Sequence, residues 1–290
     1  MHIEEMENIS PLDAFASIRR MGSPFMLTWE NRYSYVSASP LLTVRTENGR
    51  TTLEEAGRAP MEWPEPFSAI SAVLKERGEG GKAPFPFATG FAGYYGYGLK
   101  DAIDPPAQAK ARPAQSPALS VPDCVAGLYD PVFVHDRVER KGWLASRTGD
   151  KARLKAFRRA LSEKAPEQKA PPAPFSGFTP NITKEEYLAA IARAKDYITA
   201  GDIYQINISQ RLETPWDGDP FTLYAGLLNT RPAPFSSFLD YGSFQVVSNS
   251  PERLLKVTDG VAETCPIKGT RPRGKTPEED RAHIEELGGN

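Results

Sequence analysis

The first forty residues combine one helical pattern with two alternating segments. Ser10 precedes Pro11, an arrangement typical of a helix N-terminus, and the pattern continues to about Met21. The segments 24–30 and 32–39 that follow are rich in aromatic and β-branched residues. The chain therefore begins with a short helix and continues into antiparallel strands.

The next stretch predicts a β-hairpin, a helix and a glycine-rich strand. Residues 41–55 place Asn48 and Gly49, a strong hairpin-turn pair, between two β-rich arms. A helix is predicted around 67–76. The glycines among the aromatic residues of 87–99 indicate bulges or a close approach of two backbones, and their order does not match a dinucleotide-binding loop.

A proline- and alanine-rich stretch, 104–122, predicts a surface loop. Strands are predicted within 127–136 and at 143–146. Asp150 then caps a helix. The apolar face of that helix consists of Leu154, Phe157 and Leu161.

Proline-rich composition predicts a domain boundary. Residues 163–180 have the composition of a semi-rigid connector, which divides the chain into domains 1–162 and 181–290. Immediately after the connector, 183–186 form a capping box that starts a helix ending at Gly201.

Beyond this helix the pattern alternates again. Residues 204–212 alternate apolar and polar side chains and predict an amphipathic strand. Further strands are predicted within 236–242, 244–250 and 254–267. The whole pattern favours an α+β fold in which mostly antiparallel sheets pack together with helices outside.

Composition narrows the class of protein. The 290 residues are 40% hydrophobic and 25% charged with a net charge of −2, as expected for two globular domains and not for a nucleic-acid or membrane partner. The acidic N-terminus does not resemble a secretory signal, so a cytoplasmic location is predicted. Cys124 and Cys265 are too far apart in sequence for a zinc motif, and the three histidines are scattered.

Two lysines near the end of the chain compete as candidate functional residues. Residues 269–276 match the nucleotide-binding pattern G-x-x-x-x-G-K-[ST], with Lys275 as its lysine. However, Pro277 drives Thr276 out of the helical region, so Thr276 is expected to cap the following helix. A phosphate-binding loop is therefore disfavoured, although it stays an alternative.

Lys268 has a different sequence environment. It follows Ile267 at the end of a predicted strand and precedes Gly269, whose small size lets backbone amides approach a ligand. Desolvation and the nearby cations Arg271, Arg273 and Lys275 would both favour a neutral, nucleophilic amine. Composition and spacing alone favour a solvated basic loop over a nucleophilic lysine at this position.

Four segments in register resemble the chorismate-utilising enzymes. They are GDIYQINISQR (201–211), RPAPFSSFL (231–239), VVSNSPERLLKV (246–257) and ETCPIKGTRPRG (263–274). The N-terminal segments SPFMLTWE, YVSASP and GFAGYYGYGL resemble the same family, with Gly98 where the family usually has an aspartate. The resemblance implies the fold of anthranilate synthase component I.

Within this family, P-I-K-G-T is similar to aminodeoxychorismate synthases, whereas anthranilate-forming relatives usually have P-I-A-G-T. The resemblance therefore implies formation of 4-amino-4-deoxychorismate, for para-aminobenzoate and folate synthesis, with Lys268 as covalent nucleophile. Glu252 matches the general acid, and the amides of Gly269 and Thr270 are expected to hold a substrate carboxylate. Anthranilate synthase component I is the nearest alternative.

The resemblance also implies partners and ligands. Chorismate is the expected substrate, a glutamine amidotransferase the expected source of ammonia, and Mg²⁺ the expected cofactor, with ligands in family segments that lie beyond Asn290. The chain on its own is therefore predicted to be a non-productive fragment, or a non-catalytic module that binds an amidotransferase or tryptophan. Pro234 and Phe235 match a tryptophan pocket of some relatives, but Leu27–Glu30 matches the inhibitor motif poorly, so feedback inhibition is not predicted.

Overall fold

The computed structural model describes residues 1–78, 81–100, 121–163, 177–267 and 269–289. The chain forms two compact units. The first contains residues 1–167 and 224–290, and the second contains residues 168–223.

The described residues form helices and strands with the following bounds. The helices are α1 (Pro11–Ile18), α2 (Pro66–Arg77), α3 (Lys151–Ser162), α4 (Lys184–Ala200), α5 (Pro220–Thr230) and α6 (Pro277–Gly288), with a short 3₁₀ helix at Tyr97–Leu99. The strands of the first half are β1 (His2–Met6), β2 (Phe25–Trp29), β3 (Tyr33–Ser37), β4 (Leu42–Glu47), β5 (Arg50–Glu55), β6 (Met61–Trp63), β7 (Gly90–Tyr95), β8 (Cys124–Tyr129), β9 (Val132–Asp136) and β10 (Lys141–Ser146). The later strands are β11 (Thr179–Pro180), β12 (Leu212–Glu213), β13 (Phe235–Asp240), β14 (Gln245–Ser250), β15 (Arg253–Thr258) and β16 (Val261–Cys265).

The first unit contains two large antiparallel sheets. The larger has seven strands in the order β1-β10-β9-β3-β2-β13-β14, and the smaller has five in the order β6-β5-β4-β8-β7. The hairpin predicted at Asn48 and Gly49 is confirmed: both residues have positive φ, 52° and 74°, and join β4 to β5. Such left-handed pairs match the twist of a two-residue hairpin. The predicted α+β class is confirmed.

The main core lies between the two sheets, and strand alternation decides which side chains enter it. Leu239 of β13 packs in this core with Phe25 and Tyr129, whereas the neighbouring Phe238 points to the opposite face and meets Phe15 of α1 edge-on at 5.2 Å. Because side chains alternate along a strand, β13 contributes to the packing on both faces of its sheet.

Helices cover the outer faces of both sheets. The helix α1 contacts β2, β3 and α3, and α2 contacts the five-stranded sheet. The capping residues predicted for α1 and α3 are confirmed, since the side chains of Ser10 and Asp150 accept hydrogen bonds from the first-turn amides of these helices. The apolar face predicted for α3, Leu154, Phe157 and Leu161, is buried.

The close backbone approach predicted in the glycine-rich strand is confirmed at Gly93. A Cβ atom there would lie 2.0 Å from the carbonyl oxygen of Val125 on the neighbouring strand β8. No real contact is this short, so only glycine fits without movement of the backbone.

The second unit contains α4 and the short β11–β12 pair. The predicted capping box is present: Thr183 accepts from the Glu186 amide and Glu186 accepts from the Thr183 amide. The amphipathic strand predicted at 204–212 is wrong, because only its last residue, Leu212, belongs to a strand. A strand needs a hydrogen-bonded neighbour, and within the described residues none pairs with 204–211. Tyr204 is 95% exposed there.

Most of the predicted loop 104–122 and most of the connector 163–180 lie outside the described residues. Strands β13 and β14, which fall within the predicted second domain, extend the N-terminal sheet. The domain boundaries stay a prediction. Among the described helices, none has the length and apolar character needed to cross a membrane.

Candidate active site

The β15–β16 hairpin presents the candidate catalytic segment. Asp259 and Gly260, with φ of 49° and 78°, form the two-residue turn between the strands. The register pairs Lys256 with Glu263 and Arg253 with Cys265, so β15 carries one extra residue between these pairs. This bulge bends the strand near its start, where the segment containing Glu252 meets the segment that leads to Lys268.

Glu252 lies directly opposite that segment. Its Oε1 accepts a hydrogen bond from the backbone N–H of Ile267, with 3.3 Å between the two atoms. The backbone of Glu252 is itself held by Ser250: the Ser250 hydroxyl accepts from the Glu252 amide at 3.3 Å and donates to the Glu252 carbonyl at 3.1 Å. Ser250 thus holds the backbone of the candidate general acid, and the Ile267 amide holds its carboxylate. Ile267 is the residue that precedes Lys268 in the sequence.

The remaining predicted residues of this segment follow Ile267. Lys268 lies outside the described residues. Gly269 has φ of +95°, a backbone conformation that side chains with a Cβ rarely adopt, and a Cβ there would lie 2.9 Å from Leu287 of α6. Thr270 is exposed. The carboxylate-binding role of Gly269 and Thr270 stays a prediction.

Acidic side chains of α6 form ion pairs with two of the cations near Lys268 in sequence. Arg271 pairs with Glu286 at 2.8 Å, and Arg273 pairs with Asp280 at 2.9 Å. Each pair places a carboxylate beside a guanidinium, so the positive field expected from these two arginines is weakened. These two arginines therefore favour a neutral Lys268 amine less than their charges alone would, and desolvation of Lys268 stays a prediction.

The same helix argues against a phosphate-binding loop. Thr276 is extended, with φ −124° and ψ 160°. Its hydroxyl accepts a hydrogen bond from the backbone N–H of Glu279, which confirms that Thr276 caps α6. The amides that would face a phosphate instead donate to acidic side chains: Gly274 to Asp280 at 2.9 Å and Lys275 to Glu279 at 2.8 Å. Carboxylates of the chain itself occupy the donors that such a loop offers to its ligand.

Sequence reasoning missed Arg253, which connects the hairpin to the N-terminal sheet. Its side chain is 6% exposed and forms ion pairs with Glu30 and with Glu263. One guanidinium nitrogen, Nη2, also lies 2.7 Å from the Sγ atom of Cys265. Arg253 directly follows the candidate acid in the sequence S-P-E-R, but no local pattern identifies Glu30 as its partner across 223 residues.

One of the two candidate tryptophan-pocket residues, Phe235, contacts an indole of the chain itself. The rings of Trp29 and Phe235 meet edge-to-face with their centres 5.6 Å apart, and the Arg253 guanidinium lies 5.9 Å from the Trp29 ring centre. Pro234 is half-buried next to Phe235. Binding of free tryptophan at Pro234 and Phe235 stays a prediction.

The described part of the chain does not fit a metal ion. Over 1–78, 81–100, 121–163, 177–267 and 269–289, no group of three or more His, Cys, Asp or Glu side chains is arranged to hold one. Binding of Mg²⁺ stays a prediction from the family resemblance.

Comparison with known proteins identifies the family. The sequence profile described as chorismate binding enzyme matches residues 26–290. Curated relatives include anthranilate synthase component 1 of Cereibacter sphaeroides, 34% identical over 274 residues that are 87% of this chain and 53% of the relative. Another is aminodeoxychorismate synthase component 1 of Salmonella typhimurium, 30% identical over 268 residues that are 89% of this chain and 55% of the relative.

The fold agrees with this family. The crystal structure of anthranilate synthase component I from Streptococcus pneumoniae superposes with a TM-score of 0.65 at 22% identity, over 80% of this chain and 53% of that chain. The chain therefore belongs to the chorismate-binding enzyme family. It spans about half the length of the curated relatives that it matches.

Proposed function

We propose that this chain contributes the covalent nucleophile and the general acid of an aminodeoxychorismate synthase component I. The reaction replaces the C4 hydroxyl of chorismate with an amine. One observation carries the proposal: the Glu252 carboxylate accepts from the Ile267 amide at 3.3 Å, so the candidate acid is held against the backbone that leads to Lys268. The family resemblance supplies both roles, and this contact supports their pairing.

The two residues divide the first step between them. The Lys268 amine forms a bond to C2, both ring double bonds shift by one position toward C4, and the bond from C4 to oxygen breaks. Hydroxide is a poor leaving group, so Glu252 donates its proton and the oxygen departs as water. The alkylated lysine nitrogen then loses its extra proton, and Glu252 can be protonated again.

The second step releases the lysine. Ammonia forms a bond to C4 while the bond between C2 and the Lys268 nitrogen breaks, and a proton passes from the new amine to the departing lysine. Both ring double bonds return to their original positions, and the product keeps the configuration of chorismate at C4 because ammonia adds to the face from which the hydroxyl departed. The lysine splits one difficult substitution into two easier ones.

Substrate binding and ammonia supply are proposed from the same resemblance. The positive φ of Gly269 supports the expected role of the Gly269 and Thr270 amides, since it keeps a side chain away from this part of the backbone. A glutamine amidotransferase is the proposed partner, because the similar proteins are named as component 1 of their synthases. Mg²⁺ would neutralise substrate carboxylate when it is bound.

Anthranilate formation is the alternative function within the family. Overall similarity does not separate the two, because relatives of both kinds are about equally similar, at 34% and 30% identity. The residue at position 268 is therefore the discriminating feature. Its lysine favours aminodeoxychorismate.

Product analysis tests the proposal. The full-length natural protein is incubated with chorismate, Mg²⁺ and an ammonium salt, and the products are separated by chromatography. We expect aminodeoxychorismate from the native protein and a loss of about 10²-fold or more in its rate with Lys268→Ala. Fluorescent anthranilate as the main product of the native protein would contradict the proposal.

A further inference from the structure

We propose that Arg253 is a positioning residue that holds the Glu252 carboxylate against the backbone leading to Lys268. The inference rests on the proposed function, because it assigns a purpose to the contact between Glu252 and Ile267, the residue that precedes Lys268. It concerns a residue other than the two proposed catalytic residues. The contacts of its guanidinium support this role.

The guanidinium of Arg253 joins three parts of the chain. It pairs with Glu30 in the turn between β2 and β3, with Glu263 on β16, and with Cys265 at the end of β16. Cys265 is three residues before Lys268. One buried side chain therefore fixes the start of β15 to the end of β16 and ties both to the seven-stranded sheet.

Only arginine suits this arrangement. Its planar guanidinium carries five N–H donors in a fixed fork, and it can satisfy acceptors in several directions at once. Lysine would keep the charge but could not reproduce the fork. The sulfur contact of Cys265, opposed by desolvation, acts with Glu30 to raise the pKa of Arg253, so the guanidinium stays charged.

The turn that supplies Glu30 is conformationally strained. Glu30 and Asn31 have φ of 51° and 56°, in the left-handed region that Gly and Asn adopt more readily than Glu. The ion pair with Arg253 offsets this strain. Without Arg253, the carboxylates of Glu30 and Glu263 would repel each other across the space that it fills, and the hairpin would move away from the sheet.

The hairpin has little other support. Leu254 is 89% exposed and Val261 is 69% exposed, so the two strands bury few apolar side chains within the described residues. A two-stranded hairpin is marginally stable in water. We therefore expect the position of Glu252 relative to Ile267 to depend on Arg253 more than on packing.

The test compares Arg253→Lys, Arg253→Gln and Glu30→Gln with the native full-length protein. Arg281→Gln is the matched control, because it removes an exposed arginine–glutamate pair on α6. The first readout is hydrogen exchange of the Ile267 amide, which requires no substrate. We expect it to rise about tenfold in the three test variants and to stay unchanged in the control.

The second readout is the rate at which chorismate becomes bonded to Lys268, measured against chorismate concentration by mass spectrometry. We expect Arg253→Lys to lower the maximal rate about tenfold or more, with little change in the half-saturating concentration, since orientation and not binding is lost. Because Arg253 and Glu30 act as a pair, the double variant Arg253→Gln/Glu30→Gln should react no more slowly than the slower of its two single variants.

The outcomes separate the two proposals. Unchanged Ile267 exchange in both Arg253 variants would overturn the positioning role, whatever the native protein does with chorismate. Faster exchange with an unchanged maximal rate would also overturn it, because the contact would then be merely structural. No adduct on native Lys268, together with Arg253-dependent protection of Ile267, would overturn the proposed function and leave the positioning of Glu252 supported.

Discussion

The backbone N–H of Ile267 donates a hydrogen bond to the Glu252 carboxylate across 15 residues of sequence, with 3.3 Å between nitrogen and oxygen. The bulge in the β15–β16 hairpin makes this contact geometrically accessible. A carboxylate that accepts from a backbone amide is fixed in direction, and a fixed direction is what proton donation to a leaving group requires.

Substitution of Glu252 by glutamine removes the acidic proton but keeps the contact with the Ile267 amide. The glutamine amide oxygen can still accept from the Ile267 amide, but the side chain cannot supply an acidic proton. We expect Glu252→Gln to lower aminodeoxychorismate formation about 10²- to 10⁴-fold in the full-length protein. The thermal unfolding midpoint should change little. An active Glu252→Gln variant would remove Glu252 from the proposed mechanism.

Thr28 joins β2 to β13 with its side chain. Its hydroxyl accepts from the Ser236 amide at 2.8 Å and donates to the Ser236 carbonyl at 3.2 Å, in a buried environment. Thr28→Val keeps the shape but leaves both backbone groups without this partner, so we expect a loss of about 1–3 kcal/mol in the free energy of unfolding. Thr28→Ser, which retains the hydroxyl, should lose clearly less. Chemical denaturation measures both, and equal losses would refute the role of the hydroxyl.

Gly93 allows β7 to lie against β8. Alanine there would place its Cβ 2.0 Å from the Val125 carbonyl oxygen and 2.6 Å from the Ala126 Cα, and both are backbone atoms that cannot rotate away. We expect Gly93→Ala to lower the free energy of unfolding by about 2–4 kcal/mol, measured by chemical denaturation.

Gly226 provides the control for Gly93. It lies within α5, and a Cβ added there would meet no neighbouring atom within 4 Å, so Gly226→Ala should raise the free energy of unfolding by about 0.5–1 kcal/mol. If Gly93→Ala and Gly226→Ala were equally stable, the backbones of β7 and β8 would be able to move apart at Gly93 without a cost in free energy.

The buried carboxylate of Asp136 links stability to pH. Burial opposes its ionisation, but hydrogen bonds from Arg32 and from the amides of Glu139 and Val138 outweigh burial and lower its pKa. A lowered native pKa gives stability that is fully present above the unfolded pKa of about 3.9 and is lost as the pH falls through the native value.

Replacement of Asp136 tests this linkage. We expect Asp136→Asn to lower the free energy of unfolding at pH 7 by about 1–3 kcal/mol, because the Arg32 contacts lose their charge assistance. The difference between the native protein and the variant should shrink as the pH falls below about 4. A difference that stays constant from neutral to acidic pH would contradict the pKa shift.

Local signals in the sequence predicted much of the first unit. The caps at Ser10 and Asp150, the hairpin at Asn48 and Gly49, and the close approach at Gly93 each depend on residues within a few positions or on the size of one side chain. Such features carry their physical cause in the sequence itself.

The features that were missed depend on distant partners. Alternation at 204–212 favoured a strand, but periodicity does not supply the neighbouring strand that the backbone needs. Nor does any local pattern show that β13 pairs with β2, or that Arg253 pairs with Glu30. For the candidate site, the motif order indicated Glu252 and Lys268, whereas the contact between Glu252 and the Ile267 amide became visible only in the fold.

Mass spectrometry of the protein after reaction with chorismate tests the covalent role of Lys268. The full-length protein is mixed with chorismate in the absence of ammonia, quenched in acid and digested to map the modified residue. We expect a mass increase of one chorismate less one water, located on Lys268 and absent from Lys268→Ala. An unmodified Lys268 in a protein that still converts chorismate, or undiminished conversion by Lys268→Ala, would contradict it.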